Sequence, residues 1–184
     1  ICVQKGKIVK IGNILIKTGE KKKFELENIS GVAFCGGNPG KTLVITAGVH
    51  GGEYVGIETS LRLIKEIDPE KLYGNIIICP VLNPEGFYAG VKQISTSDYK
   101  NLNREFPGDE NGTSTQKTAC NIEKYLYPIA DFIVDLHGGD MNEMLIPLIF
   151  FPYGSGEEMK NYVRDIASRM SVNFRVGSYA NNGL

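Results

Sequence analysis

Two histidines and one glutamate are spaced to do chemistry together. His50 and Glu53 stand three apart in the stretch 46–57, TAGVHGGEYVGI, with Gly51 and Gly52 between them. The stretch follows the apolar run Leu43-Val44-Ile45 and ends where a helical pattern begins. A histidine and a carboxylate on a tight turn at a strand end can point at one spot. Glycines there let the backbone bend and leave room for an ion or substrate. The only other histidine, His137, also ends an apolar run, 131–136, and is also followed by two glycines. Two imidazoles and one carboxylate make the ligand set of a catalytic zinc site whose fourth position holds water. Such a zinc lowers the pKa of its water to ~7 and polarises a carbonyl, which suits hydrolysis of an amide or ester.

A histidine alone at a strand end is more often structural than a ligand. Here both histidines follow an apolar strand and precede two glycines, with a glutamate three residues after the first. Metal ligands need outer partners to orient them. Asp135 lies two residues before His137, so on a strand the two side chains share a face. Asp135 either braces His137 or caps a neighbouring element. A second constellation is Asn103-Arg104, inside the run NLNREFPG. An arginine beside a side-chain amide, on a loop at a metal site, suits two-pronged capture of a substrate carboxylate. The alternative is a surface arginine paired with Glu105 or Asp109.

The elements that must position these residues are readable from periodicity. Residues 1–30 alternate apolar and polar with glycine punctuation, the pattern of a small antiparallel β element on the edge of a main sheet. Residues 32–35 read as a short strand and 36–40 as a turn. The runs 41–49, 75–82, 131–137, 145–151 and 173–177 read as further strands, the second stopped by Asn83-Pro84-Glu85-Gly86. Helical spacing follows Glu53 up to Pro69, again from Thr113-Ser114 to about residue 130, and over 157–170. Residues 87–112 read as one long loop, and long loops in compact domains are usually functional or disordered. Strand and helix alternate from residue 41 onward, which predicts an α/β sandwich with a largely parallel sheet. Ligands bind beyond the carboxyl ends of such strands. His50, Asn83 and His137 each follow a different strand and would share one sheet edge.

Composition narrows the partners. The formal net charge is −1, so no broad basic surface argues for nucleic acid. The cluster Lys21-Lys22-Lys23 reads as a solvated turn in a hairpin. No apolar run approaches the ~20 residues needed to span a bilayer. The four cysteines, Cys2, Cys35, Cys79 and Cys120, form no CxxC pair, so a cysteine zinc site is not expected. This usage fits a reducing compartment, and the cytoplasm is the expected location. The chain begins at Ile1 without a methionine and reads as a segment of something longer. The oligomeric state is left open.

HGGE, NPEG, NLNREFPG and DLHGG, in that order, resemble the zinc carboxypeptidase clan. Within it, the chain is most similar to the succinylglutamate desuccinylase/aspartoacylase family, from about residue 31 to the end. The resemblance implies a three-layer, zinc-carboxypeptidase-like sandwich with a mixed, largely parallel sheet behind the N-terminal β element (1–30). Residues 31–184 are then the metallohydrolase domain, cut short at its C-terminal end. It also implies one Zn²⁺ on His50, Glu53 and His137, with Asn103 and Arg104 gripping the substrate's carboxylate. The implied reaction removes an acyl group from an N-acyl amino acid; the alternatives are removal of a C-terminal residue from a short peptide, or a metal-binding homologue without catalysis. Three departures stand out. Asn101 occupies the slot of an aspartate that supports a zinc-bound histidine; an amide oxygen can still accept from imidazole but carries no charge. The loop offers Lys92, Gln93 and Lys100 where the family often places another arginine. The family's general-base glutamate has no match here and is expected beyond Leu184.

Overall fold

The computed structural model describes residues 8–153 and 156–179. Cys2 and the stretch beyond Tyr179 lie outside the described residues. The chain opens with β1 (Ile8–Ile11) and β2 (Ile14–Lys17), an antiparallel hairpin, and then β3 (Lys21–Leu26) and β4 (Ile29–Cys35), a second one. β5 (Asn38–Ala47), α1 (Tyr54–Glu66), β6 (Tyr73–Cys79) and α2 (Pro84–Ala89) follow. The remainder is α3 (Ser114–Tyr125), β7 (Phe132–Leu136), β8 (Leu148–Pro152), α4 (Glu157–Ser168) and β9 (Phe174–Ser178).

Five strands form a mixed sheet in the order β3-β4-β6-β5-β7. The pairs β3–β4 and β4–β6 are antiparallel; β6–β5 and β5–β7 are parallel. β8 and β9 pair in parallel as a separate two-stranded sheet. Side chains alternate across the central strands and feed two cores. Val44 and Ile77 turn to one face, with Ala119, Ile122 and Leu126 at the end of α3 and Ile11 and Ile16 of the first hairpin. Ile45 and Ile78 turn to the other, where Leu63 and Ile64 of α1 pack. One face carries α1 and the other carries α3 and the hairpin, so the sheet is the middle of three layers.

The structure corrects several boundaries. The 36–40 turn is shorter than expected, because β5 already starts at Asn38 and shifts register between Asn38 and Thr42. Gly36 and Gly40 lie so close to the backbone at Gly74 that an added Cβ would sit 2.0 and 2.7 Å from its atoms, so glycine keeps this stretch against the sheet. Asn83-Pro84-Glu85-Gly86 does more than stop a strand. Asn83 caps α2, its side chain accepting from the Gly86 amide (2.9 Å), with Pro84 in the first turn, where its missing N–H is harmless. α3 ends at Tyr125, and a 3₁₀ turn, Tyr127–Ile129, replaces the expected last turn because Pro128 cannot continue an α-helix. Lys21, Lys22 and Lys23 lie exposed on edge strand β3 rather than in a turn, where lysines discourage edge-to-edge pairing.

Candidate metal centre

β6, β5 and β7 run parallel and side by side, with Thr46 level with Cys79 on one flank and Asp135 on the other. Their carboxyl ends therefore open on one edge. His50 lies three residues past the end of β5, and His137 follows β7 directly. The Leu82 amide donates to the Ala47 carbonyl (3.0 Å) and the Asn83 amide to Gly48 (2.9 Å), so the segments leaving β5 and β6 stay zipped beyond the sheet. Gly51 sits where this turn meets α2. A Cβ there would lie 2.2 Å from the Gly86 carbonyl carbon and 2.3 Å from the Phe87 nitrogen, so only glycine lets the two backbones touch.

Glu53 stands at the N-cap of α1 but takes no amide of its own helix. Its carboxylate crosses to both histidines. Nδ1 of His50 lies 2.6 Å from Oε1, and Nδ1 of His137 lies 2.8 Å from Oε2, which also accepts from the Gly138 amide (3.0 Å). The two imidazoles are 5.1 Å apart between ring centroids. His50 and Glu53 are buried; His137 is partly exposed. One donor atom from each of the three residues falls within 4.8 Å of the others.

The far nitrogens of both imidazoles are backed by oxygen. Nε2 of His50 is 3.1 Å from Asn101 Oδ1. Nε2 of His137 is 2.5 Å from Asp135 Oδ2, a buried oxygen with no other polar partner among the described residues, while Asp135 Oδ1 accepts from Thr46 Oγ1 (2.7 Å). This is the arrangement of metal-ligating histidines, whose other ring nitrogen meets a carboxylate or carbonyl that fixes the tautomer. Two nitrogens and a carboxylate, turned inward and held from behind, fit a divalent ion of the zinc type. Burial opposes ionisation of Glu53, yet hydrogen bonds from His137, His50 and Gly138 outweigh it and hold the carboxyl at about 2. Burial likewise opposes a charge on His137, but the contacts to Asp135 and Glu53 prevail and raise it to about 10.

The remaining candidates fall on the 87–112 stretch, which is pinned rather than loose. Glu85 accepts from Ser95 Oγ (2.5 Å) and the Ser97 amide (3.0 Å), and Asp98 accepts from the amide and hydroxyl of Thr115 at the start of α3. Asn101 opens a 3₁₀ turn, Leu102–Arg104, its Oδ1 also accepting from the Asn103 amide (2.9 Å). Arg104 is exposed, and its Nη1 donates to the Asn103 carbonyl (2.9 Å). Glu105 pairs with Lys100 instead (2.9 Å), and Asp109 caps its own turn at Asn111. Asn83 does not join the cluster; its amide nitrogen donates to the Ile94 carbonyl (3.1 Å) and helps fix the same loop. The loop pins at Glu85 and Asp98 went unread in the sequence, since contacts with partners ten and seventeen residues away leave no periodic trace.

This sandwich is shared with a metallo-carboxypeptidase from Burkholderia cenocepacia (TM-score 0.59, 19% identity, covering 97% of this chain and 48% of that one). It is shared more closely with a succinylglutamate desuccinylase from Silicibacter sp. TM1040 (TM-score 0.77, 24% identity, 99% and 59% covered). Residues 39–182 match the succinylglutamate desuccinylase/aspartoacylase catalytic domain, and the chain belongs to this family. Among characterised relatives, it is 39% identical over 108 residues to the N-alpha-acetyl-L-2,4-diaminobutyric acid deacetylase of Halomonas elongata, covering 59% of this chain. The chain spans 31% of that relative's length.

Proposed function

We propose that this chain carries the zinc site and the substrate-carboxylate anchor of a hydrolase that removes the acyl group from an N-acyl amino acid. One observation carries the reading: both imidazoles turn Nδ1 toward a single carboxylate while an oxygen backs each Nε2. His50, Glu53 and His137 would hold the zinc. When bound, the metal supplies a Lewis acid for the acyl carbonyl and a water acidic enough to attack near neutral pH. Asp135 and Asn101 keep the two ring nitrogens aimed inward. Arg104, whose two candidate acidic neighbours are engaged elsewhere, grips the substrate's free carboxylate together with Asn103. The Halomonas relative makes N-acetylated amino acids the first substrates to test.

The test uses the complete protein without a histidine tag. Elemental analysis should find about one zinc per chain in the wild type and little in His137→Ala or Glu53→Ala. Hydrolysis of N-acetyl and N-succinyl amino acids should fall with the metal. A His137→Ala protein that keeps both zinc and activity would sink the assignment. A short peptide assayed beside them separates a deacylase from a carboxypeptidase, and wild-type protein that holds zinc but cleaves neither is a non-catalytic homologue.

A further inference from the structure

Thr46 is 1% exposed and stands on β5, level with Asp135 of β7 on one flank and with Cys79 of β6 on the other. Side chains alternate along a strand, so Thr46 shares a face with Val44 and lies on the side of the sheet where Val44, Ile77 and Cys79 form the apolar core. Valine has nearly the same shape and would fill this place as well; what threonine adds is a hydroxyl. A hydroxyl taken out of water is costly unless it is hydrogen-bonded, and this one donates to Asp135 Oδ1 at 2.7 Å. The other oxygen, Oδ2, meets no donor among the described residues except the His137 ring, 2.5 Å away. His137 in turn directs Nδ1 at Glu53 (2.8 Å). A chain of contacts thus runs from the strand that leads to His50, through Asp135, to the second imidazole. Asp135 stays outside the set of converging ligands although it lies two residues from one of them.

We propose that Thr46 is a positioning residue of the metal centre. By holding Oδ1 it fixes the rotation of the Asp135 carboxylate, so that Oδ2 is presented to Nε2 of His137. The proposal rests on the metal-site reading and deepens it. Without the hydroxyl, one carboxylate oxygen is left without a donor at the edge of an apolar core, and the group is free to turn about its Cβ–Cγ bond. The imidazole then loses the partner that fixes its tautomer and orientation, and Nδ1 is aimed less steadily at the point where the three ligands converge.

The experiment measures zinc affinity of the complete protein, by competition with a chromophoric chelator, for wild type, Thr46→Val and Thr46→Ser, and again for Asp135→Ala with and without Thr46→Val. Thr46→Val should weaken zinc binding by about 3- to 30-fold, less than the loss of a direct imidazole partner, while Thr46→Ser, which keeps the hydroxyl, should stay within about 3-fold of wild type. In the Asp135→Ala background, Thr46→Val should change nothing further, because the hydroxyl acts through that carboxylate. A merely structural Thr46 would lower the unfolding midpoint and leave zinc affinity unmoved, or would weaken zinc equally with and without Asp135; either result overturns the proposal. The metal-free protein gives an independent reading. Nitrogen-15 NMR of the histidine side chains should show an Nε2 proton on His137 that exchanges slowly with water in wild type and Thr46→Ser, and rapidly in Thr46→Val. A wild type that binds no zinc removes the metal-site reading, and this ring proton then decides for or against Thr46: equal protection in Thr46→Val overturns the proposal.

Discussion

Asp135 is the residue on which the His137 side of the centre depends. Its two oxygens are divided between Thr46 and His137, the placement of a group that would orient the ring rather than bind an ion. Asp135→Asn keeps the shape and removes the charge; zinc affinity should weaken by about 10- to 100-fold, measured by competition with a chromophoric chelator. His137 makes a second prediction. Its pKa in the metal-free fold is raised from 6.5 to about 10. The protonated ring therefore supports that fold fully below pH 6.5, and the support is lost as pH climbs toward 10. Glu53, held at about 2, stays ionised throughout. Zinc needs the neutral imidazole, so at pH 7–8 binding should release about one proton, and affinity should rise with pH. Titrations in buffers of different ionisation enthalpy count that proton; none released would mean that His137 is neutral before the metal arrives. Much of this was legible in the sequence. His50, Glu53 and His137 flank apolar strands, and Asp135 shares a strand face with His137. The pairing of Lys100 with Glu105 and the burial of Asp140 were not legible, because both depend on how a loop and a turn fold back.

At the scale of elements, the centre is assembled by backbone contacts as much as by side chains. The turn after β5 touches the first turn of α2 at Gly51 and Gly86. Gly51→Ala would force a Cβ into the Gly86–Phe87 peptide, and one of the two segments must move. We expect a loss of about 1–3 kcal/mol in denaturant unfolding, with weaker zinc binding, because the residue that moves lies between two of the proposed ligands, His50 and Glu53. Unchanged stability and metal affinity would show that the contact is slack. The long strands and helices were readable because each spans enough residues to show its period. α2 was not: six residues behind an Asn-Pro start carry a capping signal but little periodicity. The start of β5 was hidden by glycines that usually mean a turn and here mean close packing on Gly74.

The main sheet lies between two apolar layers, and the buried cysteines, Cys35 and Cys79, follow that plan. Cys79 ends β6 fully buried in the core on the α3 side, and burial pushes its thiol up to about 12. In the native protein it should resist alkylation by iodoacetamide at neutral pH while reacting once unfolded, as mass spectrometry can count. Rapid native labelling would mean that this core opens. No described helix is long and apolar enough to cross a membrane. The mixed order of the five strands was only partly legible: alternation along the chain announced parallel pairs, but nothing in it said that β6 would pair with β4 as well as with β5. That pairing sets β5 between β6 and β7 and gives the centre its shape. It has a consequence in polymer terms. Glu53 and His137 are 84 residues apart in sequence, so an ion held between them closes a long loop. Closure entropy grows with the logarithm of loop length. A metal gripped by these residues only in the folded chain would spare the unfolded chain that closure cost and link the start of α1 to the segment after β7, stabilising the fold by mass action, more as free metal rises above its dissociation constant.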